Sequence, residues 1–126
     1  MHIEHIALWV SDLDASAAFY ERFFAAKPGA LYQNPKTGFC SRFIAFDTGA
    51  RLELMTRPGK TCAAAQDALG YAHIALSVGS REAVDRLTDA LREAGVRVQS
   101  APRVTGDGYY ESVVCDPDGN LIEITV

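Results

Sequence analysis

The sequence lacks the features of several large classes of protein. No apolar run among its 126 residues is long enough for a helix that crosses a bilayer. Basic residues form no cluster, and the formal net charge of −4 gives no electrostatic footprint for nucleic acid or anionic lipid. The N-terminus reads MHIEHIALWV, without the basic segment and cleavage site of a secretory signal. We therefore expect a cytoplasmic protein that binds neither nucleic acid nor membranes.

Cysteine is also scarce. Cys40, Cys62 and Cys115 are an odd number of thiols, and no two of them have C-x-x-C spacing. A disulfide framework is therefore not expected. Small thiol side chains in the core of a protein from a reducing compartment explain them more simply.

What the sequence does contain is a repeat. Residues 5–10 read HIALWV and residues 73–78 read HIALSV, so the two segments differ at a single position, and each begins with a histidine. Internal similarity of this kind predicts a duplicated structural unit. The alternation of the hexamers is typical of a β-strand.

Each hexamer is followed by a helical pattern. Apolar residues recur at intervals of three or four in both segments, which predicts two amphipathic helices; these residues are Leu13, Ala17, Tyr20 and Phe24, then Val84, Leu87 and Leu91. Ser11 and Asp14 resemble a capping box, and Lys27-Pro28-Gly29 is expected to end the first helix. Ser80 and Gly95 are the expected caps of the second helix.

Three strand-like segments follow each helix, and Asp/Gly-rich turns (DTGA and DPDGN) precede the last strand of each half. The sequence thus predicts an α+β protein of two βαβββ modules. We expect one domain over residues 1–126, with module one at 1–56, a linker at 57–70 and module two at 71–126. The two sheets are expected to form a curved, cup-shaped surface with the helices outside.

Four polar residues stand out against the strand alternation. His5 and His73 begin the first strand of each half, and Glu53 and Glu123 lie in the last strand, opposite the apolar residues that should face the helices. Two carboxylates on the concave face of a cup require a proton, a cation or a metal. Two imidazoles and two carboxylates suit a divalent nickel, cobalt, zinc, manganese or iron ion.

These residues resemble the vicinal oxygen chelate superfamily, which includes glyoxalase I, fosfomycin-resistance enzymes, extradiol dioxygenases and bleomycin-resistance proteins. The resemblance rests on HIALWVSDLDASAAFY, GYAHIALSV and CDPDGNLIEI and covers the whole chain. It implies paired βαβββ modules, a metal in the cup and a homodimer. By the glyoxalase I pattern, the metal ligands are His5, Glu53, His73 and Glu123, and either Glu53 or Glu123 is the catalytic base that transfers a proton.

The sequence departs from the glyoxalase I pattern in the region that holds glutathione. Trp9 stands where bacterial glyoxalase I-like sequences have an arginine, and Arg57 stands where an asparagine is often found. Trp9 makes the mouth of the cup more apolar and can stack on a flat substrate. The expected substrate pocket contains Trp9, Arg57, Tyr71 and Tyr110.

The sequence therefore predicts a metal-dependent lyase or isomerase of glyoxalase I type that acts on a small hydroxycarbonyl or hemithioacetal substrate, such as an adduct of glutathione or another thiol. One alternative is a metal-free binding or resistance protein of bleomycin-binding type, in which aromatic residues including Tyr109 bind a flat molecule. Another is an iron-dependent ring-cleaving dioxygenase, for which a fourth protein ligand is unfavourable. Substrate, metal and the assembly of the cup within one chain or across a dimer stay open.

Overall fold

The computed structural model describes residues 1–60 and 69–126. They form two compact units, one before and one after the intervening segment of the chain. Each unit contains one helix and one four-stranded sheet, and the predicted α+β class with two βαβββ modules is confirmed. Part of the predicted linker, residues 61–68 with Cys62, lies outside the described residues. The predicted domain and linker boundaries stay predictions.

The first unit places its first and last strands side by side. Its sheet order is β1-β4-β3-β2, with β1 parallel to β4 and the other neighbours antiparallel. Its elements are β1 (His5–Trp9), α1 (Leu13–Phe24), β2 (Lys27–Gln33), β3 (Cys40–Ala45) and β4 (Arg51–Thr56).

The second unit repeats this topology. Its sheet order is β5-β8-β7-β6, with β5 parallel to β8 and the other neighbours antiparallel. Its elements are β5 (His73–Ser77), α2 (Arg81–Glu93), β6 (Val98–Val104), β7 (Tyr110–Cys115) and β8 (Leu121–Thr125).

The first helix begins and ends differently from the prediction. Asp12, with an extended backbone, is the N-cap, and its carboxylate accepts hydrogen bonds from the amides of Asp14 and Ala15, both at 2.9 Å. The predicted capping box of Ser11 and Asp14 is therefore wrong. The helix ends at Phe24, followed by Ala25 in the left-handed region, so the predicted stop at 27–29 is wrong as well. Those residues already belong to β2.

The second helix begins at its predicted N-cap, Ser80, whereas its C-cap is Ala94 and the predicted C-cap, Gly95, is the residue after it. The Ser80 hydroxyl accepts a hydrogen bond from the Ala83 amide, and Gly95, with φ of +81°, follows the last helical turn. Thr88 is buried on the same helix and shares a 2.6 Å hydrogen bond with Ser112 of β7. A hydroxyl pair thus joins the helix to the sheet where the sequence predicted apolar contacts alone.

The core of each unit lies between the sheet and its own helix. Four of the predicted inward residues of the last strands are almost fully buried; they are Leu52, Leu54, Ile122 and Ile124. Val126 was predicted to face the core as well, but it follows the end of β8 and is 48% exposed, so that prediction is wrong. Cys115 is buried and Cys40 half-buried, both as free thiols. Across the described part of the chain, no helix combines the length and apolar character that crossing a membrane demands.

Candidate metal and substrate site

The first unit brings one predicted histidine and one predicted glutamate together. In the parallel β1–β4 pair, Glu53 is the register partner of Ala7, two residues after His5. His5 Nε2 lies 3.8 Å from Glu53 Oε2. The Glu53 side chain is 18% exposed and that of His5 is 39% exposed, so both atoms remain accessible to a small ligand.

A second carboxylate orients the imidazole of His5. Glu4 Oε2 lies 2.5 Å from His5 Nδ1, and the guanidinium of Arg51 donates to the other oxygen of Glu4. These two hydrogen bonds, that from His5 first, hold the pKa of Glu4 below its usual range. In the tautomer with a proton on Nδ1, Glu4 accepts this proton, and Nε2 then has a free lone pair on the Glu53 side. The Arg51 side chain thus pairs with Glu4 rather than with Glu53.

The second unit repeats the histidine–glutamate pair. Glu123 is the register partner of Ala75, as Glu53 is of Ala7. His73 Nε2 lies 3.4 Å from Glu123 Oε2, and the Glu123 side chain is again 18% exposed. The duplicated fold therefore produces the same pair twice at the same register.

The surroundings of Glu123 contain a further acid. Glu111 of β7 is 7% exposed, and burial is the main reason why its pKa is raised; a hydrogen bond with Glu123 and the charge of Glu123 add to this effect. Arg103 lies 3.4 Å from Glu111 and partly offsets the rise. The buried carboxyl group of Glu111 and the more exposed one of Glu123 are thus in direct contact.

Each pair has the chemistry of half a metal site. Metal bonds to imidazole nitrogen and carboxylate oxygen are about 2.0–2.2 Å long, so two such donors on one ion lie roughly 3–4 Å apart. The separations of 3.8 and 3.4 Å fall in that range. Within residues 1–60 and 69–126, no three histidine, cysteine, aspartate or glutamate side chains form one metal-binding group. The structure thus shows two donor pairs, each with one imidazole nitrogen and one carboxylate oxygen at this spacing.

Trp9 lies on the same face of β1 as His5. Its indole is 37% exposed and packs edge-on against Phe39 at 6.2 Å. The Arg57 guanidinium lies 4.9 Å and the Lys60 ammonium 5.1 Å from the centre of the Trp9 ring. The predicted pocket residues Trp9 and Arg57 are therefore in contact, and Lys60 joins them.

The tyrosines are placed differently. Val113 is the register partner of Glu123. Because side chains alternate along a strand, Glu111, two residues before Val113, lies on the same face of the sheet as Val113 and Glu123. Tyr110 consequently points to the other face, where its hydroxyl donates to Asp85 of α2 at 2.7 Å and this bond raises the pKa of Tyr110. Tyr110 is thus separated from the face of Glu123, contrary to its expected place in the pocket. Tyr71 and Tyr109 are exposed, at 96% and 59%.

The repeated fold and the repeated donor pairs agree with a comparison of the whole sequence. Residues 2–124 match the Glyoxalase/Bleomycin resistance protein/Dioxygenase superfamily. The chain belongs to this superfamily. Its members share the paired βαβββ architecture found in both units.

The chain is similar to a protein named as an enzyme and to a protein named as uncharacterized. The lactoylglutathione lyase of Haemophilus influenzae is 31% identical over 127 residues, covering 98% of this chain and 90% of its own. Uncharacterized protein YqjT of Bacillus subtilis is 30% identical over 128 residues, covering 97% of this chain and 96% of its own. The structure of the trypanothione-dependent glyoxalase I of Leishmania major has 26% identity and a TM-score of 0.79, with 99% of this chain and 86% of that chain covered.

Three residues of the candidate site were not predicted from the sequence, although each lies close to a residue that was predicted. Glu4 precedes His5, Lys60 follows Arg57 by one turn, and Glu111 shares a face with the partner of Glu123. Strand alternation applied to YYESVV would have placed Glu111 with Glu123. In a superfamily whose members share one fold, such neighbours distinguish one chain from another.

Proposed function

We propose that this protein is a metal-dependent lyase or isomerase of glyoxalase I type. It acts on a small hydroxycarbonyl or hemithioacetal substrate by moving a proton between neighbouring carbon atoms. The observation that carries the proposal is the pair of a histidine and a glutamate at the same register in both units. The relationship to the lactoylglutathione lyase of H. influenzae supports the reaction class.

His5, Glu53, His73 and Glu123 would hold one divalent ion, nickel, cobalt, zinc, manganese or iron, either within one chain or across a homodimer. Two neutral imidazoles and two carboxylates balance the ion's formal charge. When bound, the ion supplies Lewis-acid polarisation of the substrate oxygens. The hydrogen bond from His5 to Glu4 presents Nε2 as a ligand atom and supports this assignment.

Glu123 is the residue to which we assign the proton transfer. A catalytic base needs a carboxylate within reach of the substrate carbon and a way to exchange the proton it takes up. Glu123 shares a hydrogen bond with a neighbouring carboxyl group, Glu111, whose pKa is raised, and this contact offers a route for such an exchange. Glu53 lies opposite Phe43 in its sheet, without an acid at the position of Glu111, which is Ser41 in the first unit.

Two measurements test the proposal. Elemental analysis of protein purified without chelator should give about one metal equivalent per set of four donors, and the double variant H73A/E123A should bind far less. Methylglyoxal and glutathione should then be turned over with nickel, cobalt, zinc or manganese. R22Q, an exposed charge change on α1, is the control. Metal binding without turnover would reject the glyoxalase reaction and keep the metal site; absence of metal binding would reject both.

The contact of Trp9 with Arg57 and Lys60 favours a second candidate, a metal-free protein that binds a flat molecule. In this case the glutamates are dispensable, and the Trp9 surface carries the function. Ligand binding by protein stripped of metal, unchanged in H73A/E123A, would select it over the enzyme.

A further inference from the structure

Trp9 is flanked by two cationic side chains, those of Arg57 and Lys60. Its ring is the one aromatic ring, among those of residues 1–60 and 69–126, with two cations over it. Arg51, by contrast, lies 4.3 Å from the Phe43 ring and is paired with Glu4. In the described part of the chain, neither Arg57 nor Lys60 forms an ion pair with a carboxylate.

This arrangement has an unfavourable electrostatic component. Two like charges that converge on one ring repel each other, and the attraction of the ring for each cation offsets that repulsion only in part. The chain as a whole has a net charge of −4, so the positive patch is a local feature and not part of a basic surface. A bound anion would neutralise the repulsion.

The backbone around the patch is held in place. Gly38 has φ of +69°, and a Cβ there would come within 2.8 Å of Pro58 Cγ, so the 34–39 loop approaches the turn that carries Arg57 and Lys60. The Lys60 amide donates to the Arg57 carbonyl at 3.3 Å and closes that turn. The adjacent Phe39 packs against Trp9. The two cations are thus carried by a defined turn, and the indole by the last residue of β1.

We propose that Trp9, Arg57 and Lys60 form a binding subsite for the acidic group of a ligand with a flat, apolar body. Arg57 and Lys60 would contact a carboxylate or phosphate, and the exposed indole of Trp9 would stack on the adjoining flat part. All three side chains of this subsite belong to the first unit.

The position of the subsite connects it to the donor pair. Trp9 and His5 share a face of β1 and are four residues apart, which is about 13 Å along a strand. A ligand held by the subsite therefore extends along the strand towards His5 and Glu53. That this ligand is the substrate, an elongated aromatic or similarly flat acid, rests on the proposed function.

The binding test uses 2-naphthoate as the probe and metal-free protein in the presence of EDTA. Trp9 is the single tryptophan of the chain, so the protein has one indole N–H signal in a ¹⁵N-resolved NMR spectrum. Titration with 2-naphthoate should shift this signal in a saturable manner. The uncharged 2-naphthamide should bind much more weakly, and added salt should weaken the binding of the acid.

The matched variants are R57Q/K60Q and R22Q/K27Q, which remove the same number of positive charges. Arg22 also lies over an aromatic ring, that of Phe23 at 4.7 Å, and Lys27 is an exposed residue of β2. R57Q/K60Q should weaken 2-naphthoate binding roughly tenfold, the scale of two partly exposed charge-assisted contacts, whereas R22Q/K27Q should not.

Equal affinities of the two double variants, or equal affinities for the acid and the amide, would overturn the subsite. Binding that appears only with added metal would also overturn it, since the acid would then be a ligand of the ion. Binding without metal, combined with failure of the metal analysis above, would leave the subsite standing and reject the enzyme.

Discussion

The two units have the same strand order and the same donor pair, but they differ in what surrounds the pair. In the first unit the neighbouring carboxylate, Glu4, contacts the histidine, and the position equivalent to Glu4 in the second unit is Ala72. In the second unit the neighbouring acid, Glu111, contacts the glutamate, and its equivalent in the first unit is Ser41.

The two units therefore share a fold, but the side chains that surround their donor pairs differ. The backbone register determines where a histidine and a glutamate meet, and it is the same in both units. The residues that contact each pair differ between the units. Under the proposed function, the first unit would support an imidazole as a ligand, and the second would support a carboxylate that exchanges protons.

The largest expected effect is the difference between E123Q and E53Q. Under the proposed function, loss of the base in E123Q should lower kcat by roughly 10²–10⁴ even at saturating metal. E53Q should mainly weaken metal binding and keep more of its kcat once the metal is saturating. The measurement is steady-state turnover across a metal titration, with circular dichroism as the folding control. A larger loss of kcat in E53Q would place the base in the first unit.

A smaller effect is expected from the support of His5. E4Q keeps the size of the side chain but weakens its hold on the Nδ1 proton, and such changes typically cost about 10–100-fold in metal affinity. Competition with a chromophoric chelator measures that affinity. Glu21→Gln, an exposed change on α1, is the matched control. If E4Q binds metal as tightly as the original protein, then Glu4 does not support His5 as a metal ligand, and the proposed difference between the two units is wrong for the first unit.

The smallest effect is on the pH dependence of stability, and it has opposite signs in the two units. The lowered pKa of Glu4 contributes stability above its ordinary value of 4.5 that is lost as the pH falls through the folded-state pKa. The raised pKa of Glu111 contributes stability below 4.5 that is lost as the pH rises through the folded-state pKa.

Urea unfolding of the metal-free protein between about pH 3 and pH 8 tests this difference. Relative to the original protein, E4Q should lose less stability on acidification, and E111Q should lose less on the approach to neutral pH. If the stability of Glu111→Gln falls more steeply with rising pH than that of the original protein, the folded state does not favour the protonated carboxyl group of Glu111.

Much of the fold follows from local patterns in the sequence. The alternation in HIALWV and RLELMT determines which residues face the helix, and the 3–4 residue spacing of Leu13, Ala17 and Tyr20 determines the buried side of α1. The start of α1 was not predictable in this way. Ser11 and Asp12 are both good caps, and the choice depends on where β1 ends.

The sequence allowed the residues of the candidate site to be predicted, but not which of them contact each other. Alternation puts His5 and Glu53 on one face, yet their contact depends on the parallel pairing of β1 with β4, which involves residues far apart in the chain. Tyr110 illustrates the same limit. Two adjacent tyrosines must point to opposite faces, and the pairing of β7 with β8 decides which of them faces α2.

The parallel pairing of the first and last strands has a consequence for how each unit folds. Each histidine is on a strand at the edge of its sheet, and the strand that carries its glutamate is the last to leave the ribosome within that unit. The donor pair therefore forms at the most sequence-distant contact of the unit, whose closure costs chain entropy. An ion bound by such a pair would link the first strand of the unit to its last strand, and its affinity would depend on the free energy of pairing these two strands.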